Sequence, residues 1–442
     1  MVAVVTGGAG HLGTNLVAAL RADGHDVRVV DLRAPVTGQR LGAGWIRADV
    51  RDGARMRQAF KGAAVVYHLA GVISVAGGMG GLAPGGEAYL ASRYEDVKRV
   101  FTDPVFSRAA TSDPGVATLR PVRLNPYMML SLDPPEHTRV RRLVARAFTP
   151  RSVELLRPRV ERIVDDLIDA MVAQPRPVDF VAAFAAPLPA LVISEMLGAP
   201  VADVAMLRGC LDVGLSITAH TPEEIRAAGE QLFGYLERLI AAKRAEPADD
   251  LLTRMIQARD EEDRLSEPEL VNNAYILISG GYETTAGLLA NSLLTLHRHP
   301  EHLPMLRDKP ELIPDAVEEM LRYIRLAPAI LERVATEDVE LSGVTVPAGS
   351  TVIPLHYSAN RDEALTDDPD GFDITRKPTP HMALGAGMHF CLGAPLARLE
   401  LRAAFEGLLR RLPNLRPAVD ASELEWKRGM LIRGPVALPV TW

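Results

Sequence analysis

Only two cysteines, Cys210 and Cys391, occur in 442 residues, far apart and in unrelated contexts. That excludes a disulfide framework or a multi-cysteine metal cluster, and a reducing cytoplasm is the expected compartment. Positive charge is not in excess either: 49 Lys and Arg face 56 Asp and Glu, a formal charge of -7. No uniform positive field exists to draw nucleic acid or anionic lipid. Long apolar runs are scarce. The longest, residues 274–296, is interrupted by Glu283, Asn291 and paired glycines, so it reads as a buried helix and not as a membrane span. The opening MVAVVTGGAGHLG lacks the basic leader, apolar stretch and cleavage site of a signal peptide. What is present is 48% hydrophobic and 24% charged, an ordinary soluble balance on a chain long enough for two or three domains or one large one.

The charge is unevenly placed. Residues 1–76 hold nine Lys and Arg against five Asp, so the acidic excess lies in the rest. Between the two parts runs GGMGGLAPGG, residues 77–86, too rich in glycine to order cheaply as helix or strand. Three divisions are expected: 1–76, a linker at 77–86, and 87–442. In the first, VAVVT, a helix over Leu12 to Ala22, DVRVVD, a short strand near Trp45 to Arg47, a helix near Ala54 to Phe60 and AAVVYHLAG alternate as βαβ. After the linker, Ser92 and Glu95 have capping-box spacing. Helical periodicity then dominates to about residue 325, with short strands expected over Val339 to Leu355 and in the final RGPVALPVTW.

Four segments carry possible chemistry. In HMALGAGMHFCLGAPLARLEL, a glycine-punctuated loop presents Cys391 at the start of a helix, where the dipole and free N–H groups favour a thiolate and Gly393 permits close backbone approach to the sulfur. Such a sulfur is a metal ligand or a buried structural cysteine. In YILISGGYETTAGLLANSLL, Gly280 and Gly281 break an apolar helix just before Glu283 and Thr284. A carboxylate beside a hydroxyl there is a proton relay, or a solvated glutamate at a kink. Glu319 and Arg322 lie three apart on one helix face, a spacing common in surface pairs. In DPPEHTRVRRLVARAF, His137 and Arg141 share a face suited to a buried anion, while Arg139, Arg142 and Arg146 cluster elsewhere, facing an acidic partner or solvent.

In this order, the four segments resemble the cytochrome P450 superfamily, particularly its soluble bacterial members, over residues 87–442. The resemblance implies a mainly α fold with small β-sheets, and haem b (heme b) as cofactor. It makes Cys391 the axial thiolate ligand of the iron, Glu283 and Thr284 the acid–alcohol pair of the oxygen-activation helix, and Glu319 with Arg322 a buried pair supporting the haem loop. His137, Arg141, Arg333 and His389 match positions that hold the haem propionates, with Gly393 in the cofactor-binding loop. The implied activity is monooxygenation by O2 at a C–H bond of a small lipophilic substrate. Because no flavin or iron–sulfur motif is visible, the implied electron donor is a separate ferredoxin and ferredoxin reductase. The family's pocket-lining segments fall at residues 109–128, 274–282, 326–331 and 430–432, which are mostly apolar here. Two positions depart from the pattern. Leu384 stands where the family usually has phenylalanine, and Gly371 where it often has arginine, so the usual third partner of Glu319 and Arg322 is missing.

Residues 1–76 replace the several dozen that normally precede EAYLAS in that family. They resemble the opening of an NAD-dependent epimerase or extended short-chain dehydrogenase, as a truncated α/β Rossmann-like half-domain. Thr6, Gly7, Gly10 and Gly13 follow a strand and open a helix, where a pyrophosphate meets the helix N-terminus. Asp31 ends the second strand, where a carboxylate binds a ribose diol and favours NAD over NADP. Only the first half of such a domain is covered. Tyr94 and Lys98 have Tyr-x-x-x-Lys spacing but no matching serine. Two rival readings follow: NAD-dependent epimerase or dehydrogenase activity of this segment, and a non-catalytic haem- or ligand-binding protein.

Overall fold

The computed structural model describes residues 2–6, 11–31, 45–47, 55, 58, 59, 61, 65–68, 73–75, 88–118, 122–260, 265–327 and 331–442. The chain divides into two units. One comprises Met1–Leu119, Ala329–Pro369 and His381–Met388, the other Arg120–Pro328, Asp370–Pro380 and His389–Trp442.

The first unit opens with β1 (Val2–Thr6), α1 (His11–Ala22), β2 (Asp26–Asp31), β3 (Trp45–Arg47) and β4 (Val65–His68). The four strands form a parallel sheet in the order β3-β2-β1-β4. Ala3, Val5, Val17, Leu20, Val27 and Val29 form its core, with Trp45 packed against them. The expected βαβ start is therefore present. The helix expected near Ala54 to Phe60 lies largely outside the described residues.

A second sheet follows in the same unit, built from β5 (Ile73–Val75), β6 (Ala88–Ala91), β7 (Phe106–Ser107), β8 (Arg333–Ala335) and β11 (Thr351–Pro354), in the order β5-β6-β11-β8-β7. Between β8 and β11, β9 (Val339–Leu341) and β10 (Val344–Val346) make a separate antiparallel pair. β5 pairs antiparallel with β6, so the glycine-rich stretch at 77–86 does not coincide with a break between sheets. After β6 comes α2 (Tyr94–Thr102), whose Val97, Val100 and Phe101 are buried. Its N-cap is Arg93, without a side-chain cap, which corrects the capping box expected from Ser92 and Glu95. Asp362 instead accepts the Tyr94 N–H at 2.8 Å.

The second unit is helical. Its principal helices are α3 (Glu136–Ala145), α4 (Arg157–Val172), α5 (Pro187–Leu197), α6 (Val204–Gly214), α7 (Pro222–Ala245), α8 (Leu251–Asp260), α9 (Glu267–Arg298), α10 (His302–Asp308), α11 (Ile313–Tyr323) and α12 (Ala394–Arg411). The longest, α9, is buried on nearly every side from Leu288 to Leu296, and within that stretch the Asn291 and Thr295 side chains bond back to helix carbonyls. Ser266 and Glu269 start it with a reciprocal capping box, worth about 1 kcal/mol through the serine alone. Glu269 also binds Arg139 of α3, so one carboxylate both caps α9 and ties it to a second helix. Three short strands, residues 178–179, 416–417 and 439–441, make a small antiparallel sheet. No helix among the described residues is long and apolar enough to cross a membrane.

Candidate active site

Cys391 stands immediately before α12, whose N-cap is Gly393. The backbone N–H groups of Gly393 and Ala394 donate towards its sulfur, and the guanidinium groups of Arg141 and Arg398 lie close enough to favour its charge. The helix-start N–H groups thus favour the thiolate as expected, but burial outweighs all four groups and pushes the Cys391 thiol up. A metal ion bound to sulfur supplies the missing charge and displaces the proton, so this donor set fits a metal-bound thiolate. Gly393 has an ordinary φ of -78, and a Cβ built there or at Gly280 meets no atom within 4 Å. Neither glycine is demanded by protein contacts. Both fit a flat group lying against the backbone. Gly387 differs: at φ +68 its Cβ would fall 2.5 Å from the Phe101 carbonyl oxygen, so only glycine serves in that turn.

His137 of α3 and His389 are both buried, their ring centroids 4.3 Å apart. One turn after His137, Arg141 donates through Nη2 to the carbonyl of Phe390 at 2.7 Å, which fixes α3 to the residue before the cysteine. Burial holds this guanidinium's pKa below its usual value. Arg398 of α12 makes a two-pronged pair with Glu318 of α11, at 2.7 and 2.8 Å. Of the arginines set apart by the sequence, Arg139 is bound to Glu269 and is not a free basic face.

On α9, Thr284 Oγ1 donates to the Gly280 carbonyl at 2.7 Å. Glu283 is 3% exposed, which rules out the solvated glutamate at a kink. Its Oε1 accepts from Lys427 Nζ at 2.5 Å. Burial raises the Glu283 pKa. Lys427 and Arg208 pull it back, and Asp212 pushes it further up. Arg208 of α6 in turn donates to the Tyr282 hydroxyl at 3.2 Å. Nothing in the sequence around Lys427 signals this pairing.

Glu319 and Arg322 are 4% and 1% exposed, so they are not a surface pair. Arg322 donates to both Glu319 oxygens at 2.7 and 2.8 Å and to the Gly371 carbonyl at 2.7 Å. Glu319 Oε1 further accepts from the Asp373 N–H at 3.0 Å and from Arg376 Nε at 3.3 Å. The third partner expected to be missing is thus supplied by Arg376, five residues beyond Gly371.

Residues 213–420 match the family model described as Cytochrome P450. The chain is 47% identical over 360 residues to nocardicin C N-oxygenase of Nocardia uniformis subsp. tsuyamanensis, covering 81% of this chain and 90% of the relative. The chain belongs to the cytochrome P450 family. It is likewise 45% identical to the mycinamicin IV hydroxylase/epoxidase of Micromonospora griseorubida, covering 81% of this chain and 90% of the relative. Among solved structures it is similar to SgvP, described as a candidate thioether synthase in the tailoring step of griseoviridin. The TM-score is 0.80 at 40% identity, covering 85% of this chain and 94% of that one. The protein is accordingly an oxidoreductase of the cytochrome P450 monooxygenase class.

This cytochrome P450 carries a second match: residues 3–79 fit the NAD dependent epimerase/dehydratase family model. Of the residues expected at a dinucleotide, Gly7 and Gly10 lie outside the described residues, Gly13 falls in α1 and Asp31 ends β2. Tyr94 and Lys98 share α2. Tyr94 is buried in the first unit's core, while Lys98 lies 3.8 Å from Glu95, so the pair forms no site. Arg333, in the first unit, is 1% exposed and donates through Nη1 to the Leu331 carbonyl at 2.8 Å, with its guanidinium carbon 5.7 Å from the centre of the Phe101 ring.

Proposed function

We propose that this cytochrome P450 binds haem b through Cys391 Sγ and inserts one atom of O2 into a C–H bond of a lipophilic organic substrate. The observation that carries this is the half-buried Cys391 at the start of α12, with two backbone N–H donors and two guanidinium groups around its sulfur. The bound haem supplies the activation of O2. His137, Arg141 and His389 would hold its propionates, and Gly393 leaves room beside the ligand. Glu319 and Arg322 brace the 371–376 segment and act as positioning residues. Electrons come from a separate ferredoxin and its reductase. Substrate class follows from the apolar lining segments and from relatives named for nocardicin C and mycinamicin IV: a medium or large biosynthetic intermediate.

Cys391→Ala tests the ligand. The reduced carbon-monoxide complex of the parent gives the thiolate-type spectrum and Cys391→Ala loses it, whereas Cys210→Ser keeps it. Cys210 is buried on α6 with its sulfur 3.9 Å from that of Met206 and has no part in the site. A thiolate-type spectrum from Cys391→Ala refutes the assignment.

Within the site, Thr284 and Glu283 hold and pass protons. A hydroxyl that donates to the Gly280 carbonyl keeps its own lone pairs as acceptors, and Glu283 is the nearest buried acid along the helix. Thr284→Ala is expected to retain haem while product formed per electron consumed falls severalfold, with peroxide or water taking the difference. An unchanged ratio removes Thr284 from the relay.

The N-terminal segment has a structural role and is not an electron-input module. It holds one βαβ half, whereas a dinucleotide spans the switch point between two. Anaerobic NADH without a reductase is expected to leave the haem oxidised. Rapid reduction that is abolished by changing Gly10 or Asp31 would overturn this.

A further inference from the structure

We infer that His299, Glu301 and His302 form a site for a divalent first-row transition ion of the zinc type, separate from the haem chemistry. His299 is the C-cap of α9 and Glu301 the N-cap of α10, so the three-residue turn His299–Pro300–Glu301 brings three donor side chains to one spot. Glu301 Oε1 lies 3.7 Å from His299 Nδ1 and 3.8 Å from His302 Nε2, and the three donor atoms all fall within 4.8 Å of one another. Among the described residues, no other group of three His, Cys, Asp or Glu side chains converges in this way. Ligands at the usual zinc distances stand about 3.3–3.6 Å apart in a tetrahedron, so the cluster need close only by roughly an ångström at its widest. Glu301, which is exposed, has the freedom to do this.

A further observation points to a cation. The Phe372 carbonyl oxygen lies 3.1 Å from His302 Nε2 and is placed to serve as a fourth, oxygen ligand. The imidazoles are also held in place, their centroids 5.2 and 5.4 Å from that of Phe372, with Tyr323 edge-on to His299. Two imidazoles, one carboxylate and one carbonyl suit zinc over magnesium or calcium, which prefer oxygen alone. Ligation at His302 Nε2 moves that ring's proton to Nδ1, which is buried without a hydrogen-bond partner. The site is therefore a moderate-affinity one. Its effect is mechanical: the ion fastens the end of α9 to residue 372, between Gly371 and Asp373, whose backbones hold Arg322 and Glu319.

The test is calorimetric titration of haem-loaded, chelator-washed protein with zinc chloride, with X-ray absorption at the zinc edge. One zinc per chain is expected, with imidazole scattering, and a raised Tm. Glu301→Ala, an exposed change that leaves the fold intact, and His299→Gln are each expected to weaken binding about 10-fold or more, the scale on which even supporting residues act. His220→Ala, at a His–Glu pair beside the start of α7, should leave it unchanged. No zinc bound by the parent, or unaltered binding in the Glu301→Ala/His299→Gln double variant, overturns the site.

Discussion

Arg322→Ala is expected to cost about 3–5 kcal/mol of folding stability, the usual result of removing one member of a buried ion pair. Arg322 is the most enclosed of the charged residues around α11, and it donates twice to Glu319 and once to the Gly371 carbonyl. Without it, the Glu319 carboxylate stays buried with only the Asp373 N–H and Arg376, whose contact at 3.3 Å is longer. The Gly371 carbonyl loses its 2.7 Å donor as well. Denaturant titration should show a lower midpoint with an unchanged slope, and haem should dissociate faster from the folded variant. Arg322→Lys keeps the charge but not the two-pronged geometry, and should fall between parent and alanine. Equal stability of Arg322→Ala and parent would mean that Arg376 suffices alone.

Lys427→Met should destabilise in a pH-dependent way. The Glu283 carboxyl already sits above the ordinary carboxylate range because of burial, and Lys427 is the main group drawing it back. Removing the ammonium raises it further. For a carboxyl whose folded pKa exceeds its unfolded one, folding is strongest where both states are protonated, and stability falls as pH climbs from the unfolded towards the folded pKa. The deficit of Lys427→Met against parent should thus be small in acid and widen through neutrality. It approaches the roughly 3–5 kcal/mol of a broken buried pair only where Glu283 is forced to ionise. The Glu283→Gln/Lys427→Met double variant should show no such slope. A deficit independent of pH would show that Lys427 acts through its aliphatic stem alone.

The contrast between these two sites explains what was legible in the sequence. Glu319 and Arg322 are one helical turn apart, so their pairing follows from local geometry, and Cys391 is marked by its own loop and helix start. Lys427 lies 144 residues from Glu283, in a segment whose composition is ordinary, and no local pattern joins them. The same reason underlies the misplaced N-cap of α2: Ser92 and Glu95 have the right spacing, but Asp362, 268 residues from Tyr94, takes the N–H. Arg376 filling the place left by Gly371 is likewise a compensation that only folding reveals. The balance of effects at Cys391 is hidden for another reason. Helix starts and nearby cations are visible in sequence, whereas the depth of burial that overrides them is a property of the packed protein.

The β5–β6 pairing bears on how the chain reaches its native state. β6 must wait for its parallel partner, β11, some 260 residues later in synthesis, and such long-range pairings form slowly. Its antiparallel partner, β5, emerges just before it. On the ribosome, one edge of β6 is thus covered by a neighbour already made, leaving a single open edge until the downstream half arrives. Unpaired strand edges are where nascent chains stick to one another. In the folded chain β5 thus covers the edge of β6 that β11 leaves free.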